Sequence, residues 1–405
     1  MNRYKISPYV QIQPIEQSGI ENIPAGILHD HYALYHEAKN RDYLINGTIK
    51  FFLDKFIIPH TIDEVISSIK NELNTDSNEV ENICNEFFEF LLSRRILVNE
   101  GANLVTISKE VYFKDGDKVN GLIVHSLLSC RNLLELYKAY DPESGIFSVM
   151  KVLTRTKARN DTEFKNESGW LEREFILLNR MNHVPAMCKA FAFEQNETMA
   201  YIQLEYIEGK SLNSYLKEVG RLSLSDSLLL LKRLLNPFAD LHDSQLVHGD
   251  IHSSNILINN NMNVRVIDLG FSSIAELEND ELLKSGGVTF YMPPERINLT
   301  SIRKYKSLAA NLRSDVYQLG MLMFLTIYRI LPFSGFIWEE LAANIQTAEI
   351  NFAGGSFSGY TVPENLISIM RKCLERNPGD RYANAGLILN EFNAHFYPKK
   401  ESALN

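Results

Sequence analysis

Alternation of apolar and polar residues predicts short strands over residues 9–13, 31–35 and 43–45. Beyond Asn46, a suitable N-cap, the spacing turns helical. Thr61-Ile62-Asp63-Glu64 reads as a capping box, in which the Thr hydroxyl accepts from an early backbone N–H and the Glu carboxylate reaches back. The helix it opens, over residues 62–73, lines up Ile62, Val65, Ile66, Ile69 and Leu73 on one stripe. A further helix, over 80–92, carries Ile83, Phe87, Phe88, Phe90 and Leu91. From about residue 120 to 206 alternation returns in GLIVHSLL, LLELYKAY and GIFSVMKV. The charged run TRTKARNDTEFKNESG, the helical LEREFILLNRMNH and two strand-like runs, CKAFAFEQN and MAYIQLEYI, complete the stretch. That order predicts a five-stranded antiparallel lobe with one helix. From Ser211 onward the chain reads mostly as helix, densely apolar over 228–235 and 316–330. The result is an α+β chain in three stretches: 1–108, 109–207 and 208–405.

Length and composition narrow the reading. With 405 residues, of which 45% are hydrophobic, the chain can fill more than one core. A formal net charge of −9 argues against a polyanionic partner such as nucleic acid. The four cysteines, Cys84, Cys130, Cys188 and Cys373, show neither paired nor Cys/His metal spacing, so buried free thiols are expected. MNRYKISPYVQIQP lacks an apolar signal-like core, and no apolar run reaches the roughly 18 residues a membrane span needs. A cytoplasmic protein with no membrane partner is the expectation.

Three small strands followed by three short amphipathic helices suggest a winged-helix-like unit. DNA is a poor ligand for it, because EVENICNEFFEFLLSRR, the would-be recognition helix, is acidic over most of its length. In its order of elements, and in NGTIKFFLDKF, PHTIDEVISSIKNEL and NEVENICNEFFEFLLSRRILV, the stretch resembles the RiPP recognition element, the fold of the peptide chaperone in pyrroloquinoline quinone biosynthesis. The resemblance implies that the leader of a precursor peptide adds as a strand to the sheet edge and lays apolar side chains into a groove. It places the edge near Asp42, Tyr43 and Leu44, with Phe87, Phe90 and Leu91 as groove wall or, alternatively, as core.

The chemistry sits in HGDIHSSNILI, where Asp250 and Asn255 stand five positions apart, and in NVRVIDLGF, where Asp268 ends a short apolar strand before Gly270. An aspartate to orient a hydroxyl, with an Asn and an Asp to share Mg²⁺ with the phosphates of ATP, is what phosphoryl transfer requires. At these residues the sequence resembles the eukaryotic-type protein kinases, from about Gly121 to Phe392. By that resemblance Lys151 in SVMKV holds the phosphates, and Glu174 pairs with it, Glu172 being the neighbouring alternative. Asp250 is the catalytic aspartate, and Asn255 and Asp268 are the metal ligands. Leu204, Glu205 and Ile207 match the segment joining the lobes, whose backbone holds adenine. FYMPPERI, RSDVYQLGMLMF and CLERNPGDRY imply structural roles: Glu295 pairs with Arg381, and Asp315 braces the catalytic loop. This set favours a protein kinase over the small-molecule phosphotransferases that share HGD.

Three departures stand out. Aligning LLSCRNLLELYKA with the glycine-rich loop puts Ser129, Arg131 and Leu134 where three glycines are usual, altering the cover over ATP. Arg131 either adds charge toward the phosphates or stays a surface arginine. Gly249 replaces the arginine that receives an activation-loop phosphate in many relatives, and His252 replaces the catalytic-loop lysine, whose contact with the transferred phosphate a histidine can partly reproduce. Val288 stands where a Thr is usual, and Glu276, Glu278, Asp280 and Glu281 make the loop before it acidic. The expectation is therefore an ATP- and Mg²⁺-dependent kinase for Ser or Thr of a precursor peptide, acting beside other peptide-modifying enzymes. A pseudokinase scaffold and a small-molecule phosphotransferase are the alternatives.

Overall fold

The structure is a computed structural model. It describes residues 2–8, 10–14, 31–36, 41–101, 111–131, 133–158, 160–274, 289–297, 310–333, 338–352 and 356–398. The chain divides into a smaller unit ending at Glu110 and a larger one running from Val111, apart from the short stretch 24–26.

In the smaller unit β1 (Tyr4–Ile6), β2 (Val10–Pro14), β3 (His31–His36) and β4 (Arg41–Asn46) are followed by α1 (Gly47–Asp54), α2 (Ile62–Glu72), α3 (Asn78–Ser93) and β5 (Leu97–Asn99). β2, β3 and β4 form an antiparallel meander with β4 at one edge. The capping box at Thr61 forms as expected: its Oγ1 accepts the Glu64 N–H at 3.2 Å, and Glu64 Oε2 accepts the Thr61 N–H at 2.9 Å. Leu34, Leu53, Phe56 and Leu91 are fully buried and meet the helices' apolar stripes in one core. Alternation does not reveal the β1–β5 pair, since three residues on each strand are too few to show a period.

The larger unit opens with a sheet built from β6 (Lys118–Val119), β7 (Leu122–Arg131), β8 (Leu134–Asp141) and β9 (Ile146–Thr154). After α4 (Asp161–Arg180) come β10 (Ala190–Gln195) and β11 (Met199–Glu205). The sheet has six strands in the order β10-β11-β9-β8-β7-β6, so the expected five gain one short strand, β6. Leu171, Leu177 and Leu178 seat α4 on the sheet.

The second lobe begins with β12 (Lys210–Ser211), α5 (Leu212–Val219), α6 (Leu224–Asp243) and β13 (Leu246–Val247). It continues through β14 (Ile256–Ile258), β15 (Val264–Val266) and β16 (Ser273–Ile274) to α7 (Leu312–Tyr328), α8 (Trp338–Thr347), α9 (Glu364–Cys373) and α10 (Ala385–Phe396). α7 is apolar on all sides because it runs through the lobe's centre, with every residue from Ser314 to Tyr328 buried. Cys84, Cys188 and Cys373 are buried free thiols, and burial pushes Cys188 up to about 12, where it stays protonated. Cys130 is half-buried. Among the described residues, no helix is long and apolar enough to cross a membrane.

Candidate active site

Lys151 lies on the central strand β9, between Leu136 of β8 and Ile202 of β11. Its ammonium donates to both oxygens of Glu174, at 2.8 and 3.0 Å, and to Asp268 Oδ1 at 3.1 Å. The helical period decides between the two glutamates of α4. Glu174 shares its face with Leu171 and Leu177 and is buried, whereas Glu172 is exposed. Burial alone would depress the Lys151 ammonium, but the Asp268 and Glu174 carboxylates outweigh it and hold it above the ordinary lysine range. Burial likewise favours protonation of Asp268, yet Lys151 and the Gly270 N–H keep its carboxyl well below the usual range. At neutral pH Lys151 and Asp268 are therefore both charged.

Asp268 has φ +66°, a left-handed conformation that turns its carboxylate back over the next residues, where Oδ1 accepts the Gly270 N–H at 2.9 Å. A Cβ at position 270 would lie 2.9 Å from that oxygen and 3.4 Å from Glu174 Oε2. Glycine is thus needed for the two carboxylates to share one lysine.

The five-residue spacing of Asp250 and Asn255 is explained by a 3-10 turn over Ser253–Asn255, which folds the Asn255 amide back to donate to the Asp250 carbonyl at 3.0 Å. Asn255 Oδ1 remains as a hard ligand, and Asp268 supplies the second. Among the described residues no cluster of three or more His, Cys, Asp or Glu could hold a metal alone. The donor set therefore fits a hard cation that keeps phosphate oxygens and water as its other ligands, as Mg²⁺ does.

Asp315 fixes the catalytic loop from below. It is fully buried and accepts the His248 N–H at 2.6 Å, the Gly249 N–H at 2.9 Å and His242 Nε2 at 3.1 Å. Gln318 Oε1 accepts the Ile251 N–H at 2.9 Å. Burial lowers the His248 pKa and keeps its ring neutral, with Nδ1 accepting the Asp250 N–H at 3.3 Å. His252 Nδ1 accepts the Ser254 N–H at 3.3 Å, which leaves the proton on Nε2, 3.5 Å from Asp250 Oδ2. His252 thus stands beside the Asp250 carboxylate, at the position where many relatives carry a lysine.

The glycine at 249 has a steric reason. Its φ is +79°, and a Cβ there would meet the Phe271 carbonyl at 2.6 Å. Cationic charge arrives instead from Arg296, a buried arginine that motif matching missed, whose Nη1 donates to the Gly249 carbonyl at 2.8 Å. Only its place directly after Glu295 hinted at a role. Glu295 itself forms the expected bidentate pair with Arg381, at 2.7 and 2.9 Å, with the Arg381 side chain fully buried.

The adenine segment follows β11. The Glu205 side chain is turned to Arg265, whose Nη1 donates to it at 3.0 Å, and its backbone N–H donates to the Lys189 carbonyl at 2.8 Å. Ile207 is half-buried and packs on the main core. Where a glycine-rich loop is usual, β7 and β8 pair antiparallel, with Arg131 facing Leu134. The Arg131 side chain lies outside the described residues, as do Val288 and the acidic positions 276–281.

Of the residues expected to bind peptide, Tyr43 and Leu44 sit on the edge strand β4, with side chains outside the described ones. Phe87 packs edge-on against Phe52 at 5.8 Å, and Phe90 lies beneath the Arg94 guanidinium at 4.9 Å; both are half-buried. Leu91 is corrected to a core residue: it is fully buried among the helices and cannot line a groove.

The protein kinase domain model matches residues 134–395, well over half of the chain. The chain belongs to the protein kinase domain family. It is 27% identical to the serine/threonine-protein kinase PrkC of Bacillus subtilis over 232 residues, 56% of this chain and 33% of that protein. It is also 24% identical to the serine/threonine-protein kinase cds1 of Schizosaccharomyces pombe, over 61% of this chain and 53% of that one. The human NUAK family SNF1-like kinase 1 is 25% identical over 63% of this chain and 35% of its own length. The chain thus spans between a third and about half of these relatives, and the family model's match falls within the larger unit. Within the matched residues, Lys151, Glu174 and Asp268 are joined by hydrogen bonds, and Asn255 is joined to Asp250 by another.

Proposed function

We propose that the chain is an ATP-dependent serine/threonine kinase whose acceptor is a ribosomally made peptide, held by its leader on the smaller unit. The observation that carries the kinase reading is the Lys151–Glu174–Asp268 hydrogen-bonded cluster together with the Asp250–Asn255 turn. Lys151 neutralises phosphate oxygens. Asp250, braced through a loop that Asp315 holds, accepts the proton of the attacking hydroxyl. Asn255 and Asp268 would hold Mg²⁺, which screens charge on the phosphates when bound. The relatives' names support serine and threonine as acceptors.

The peptide reading rests on β4 at the edge of its sheet and on Phe87 and Phe90 of α3, both half-buried. A strand added there would be held by main-chain hydrogen bonds, and capture would raise the local concentration of the acceptor. One observation favours a scaffold that binds nucleotide without turnover: Ser129, Arg131 and Leu134 put side chains where the family's glycines admit phosphate. The glutamate–arginine pair at Glu295 and Arg381 supports a protein kinase rather than a small-molecule phosphotransferase.

Calorimetric titration of ATP, with and without Mg²⁺, tests the nucleotide site. Mg²⁺-dependent binding that Asp268→Asn abolishes is the expected result. Equal binding without Mg²⁺, or by the variant, refutes the reading.

A further inference from the structure

Glu135 is fully buried, although a strand carboxylate one residue from a hairpin turn ordinarily stands in water. Three donors converge on it. The Tyr112 N–H reaches Oε2 at 3.2 Å, the Tyr137 hydroxyl reaches Oε2 at 2.6 Å, and the Lys157 ammonium reaches Oε1 at 2.6 Å. Lys157 also donates at 3.2 Å to Sγ of Cys130, the cross-strand partner of Glu135. Burial opposes the charge on Lys157, but its hydrogen bonds to Glu135 and Cys130 prevail and raise its pKa, so the site holds an ion pair.

Each donor belongs to a different part of the lobe. Tyr137 is on β8. Tyr112 opens the segment over 111–117, whose Phe113 packs edge-on against Tyr137 at 5.6 Å and donates its N–H to the Tyr137 oxygen at 3.1 Å. Lys157 lies in the connection from β9 to α4, the helix that carries Glu174. Hairpin, entering segment and helix lead-in thus meet at one carboxylate.

The hairpin needs such an anchor. β7 carries two register shifts, between Val124 and Ser126 and between Leu127 and Ser129, which loosen its pairing next to the turn. Its tip also lacks glycines, so the height at which it covers the phosphates must be set by something other than backbone wrapped around them. We infer that Glu135 is a positioning residue for the nucleotide, holding the phosphate-side hairpin from its outer face through Tyr112, Tyr137 and Lys157. The inference rests on the kinase reading only in that the hairpin must cover ATP.

The test compares Glu135→Gln, Tyr112→Pro and Tyr112→Ala with the wild-type full chain, by MgATP calorimetry and amide hydrogen exchange. Proline removes the donor N–H at position 112 while alanine keeps it. Glu135→Gln and Tyr112→Pro should weaken MgATP binding about ten- to hundredfold, the scale set by small misplacements in active sites. They should speed exchange over residues 126–137 and leave α7 protected, with Tyr112→Ala unchanged in both readouts. If Glu135→Gln does not fold, the proline–alanine contrast decides alone. Binding within twofold of wild type in Tyr112→Pro, or the same loss in Tyr112→Ala, overturns the inference. A wild-type chain that binds no MgATP overturns the kinase reading as well, so the two failures are told apart.

Discussion

Replacing Lys151 by methionine removes the ammonium but keeps much of the side chain's volume. Lys151 is 7% and Glu174 2% exposed, and the ion pair between them is 2.8 Å long. Removing one partner of a buried pair costs about 3–5 kcal/mol, because the remaining charge loses its counter-ion without regaining water. Here two carboxylates, Glu174 and Asp268, are left facing each other. The pH dependence has a definite sign. In the wild-type protein the Asp268 carboxyl is held below its unfolded value, so its contribution is present above that value and is lost only as pH falls through the lower folded one. The Lys151 pKa is raised, so its contribution persists up to the unfolded lysine value and is lost as pH rises through the folded one. Lys151 and Asp268 therefore both stay charged in the wild type from pH 5 to 8. In the variant, the buried Glu174 carboxylate and the half-buried Asp268 carboxylate, left without their shared cation, favour uptake of a proton, which relieves the penalty as pH falls. The destabilisation should be near its full size at pH 8 and smaller at pH 5. Calorimetry on the full chain, reading the transition of the larger unit, checks both points. A loss below about 1 kcal/mol, the range of exposed pairs, or a greater loss at pH 5 than at pH 8, refutes the reasoning.

Four further outcomes are expected. Asp250→Asn should lower phosphoryl transfer about 10²–10⁴-fold while the calorimetric MgATP affinity stays within about threefold, since the aspartate acts on the hydroxyl. Gly249→Ala should destabilise the larger unit by about 2–4 kcal/mol in thermal unfolding, combining left-handed strain with the 2.6 Å approach to the Phe271 carbonyl. Glu295→Ala should lower the unfolding temperature of the same unit, costing about 3 kcal/mol or more, because Arg381 is left buried without its carboxylate. In the smaller unit, Leu91→Ala should cost about 2–5 kcal/mol in urea unfolding, whereas the half-buried Phe90→Ala should cost less and, on the proposed peptide reading, weaken capture of the leader.

What the sequence disclosed follows physical lines. The catalytic loop was legible because Asp250 and Asn255 are joined by one short turn, whose geometry fixes their spacing in the chain. Glu174 was legible against Glu172 once the helix face was known, and Asp315 and Arg381 through local motifs, the first in the opening turn of α7 and the second after α9. Residues whose role depends on distant packing were not. Glu135 reads as an ordinary strand carboxylate until segment 111–117 and Lys157 are seen to cover it. Arg296 gains its place from the Gly249 carbonyl, 47 residues away. Leu91 belongs to an apolar run in which every member could face a groove, and only the packed helices show that it does not. The need for glycine at 249 was likewise invisible, since the lost arginine was apparent but the Phe271 carbonyl that forbids a side chain was not.

The most direct test of the account is transfer itself. The full chain, incubated with radiolabelled MgATP and a degenerate peptide library holding a fixed Ser or Thr, is compared with Asp250→Asn. Label on Ser or Thr peptides that disappears in the variant is the predicted result. Label that persists undiminished in Asp250→Asn, or a wild-type chain that binds MgATP yet labels neither the library nor itself, contradicts the assignment of Asp250 as the group that accepts the proton.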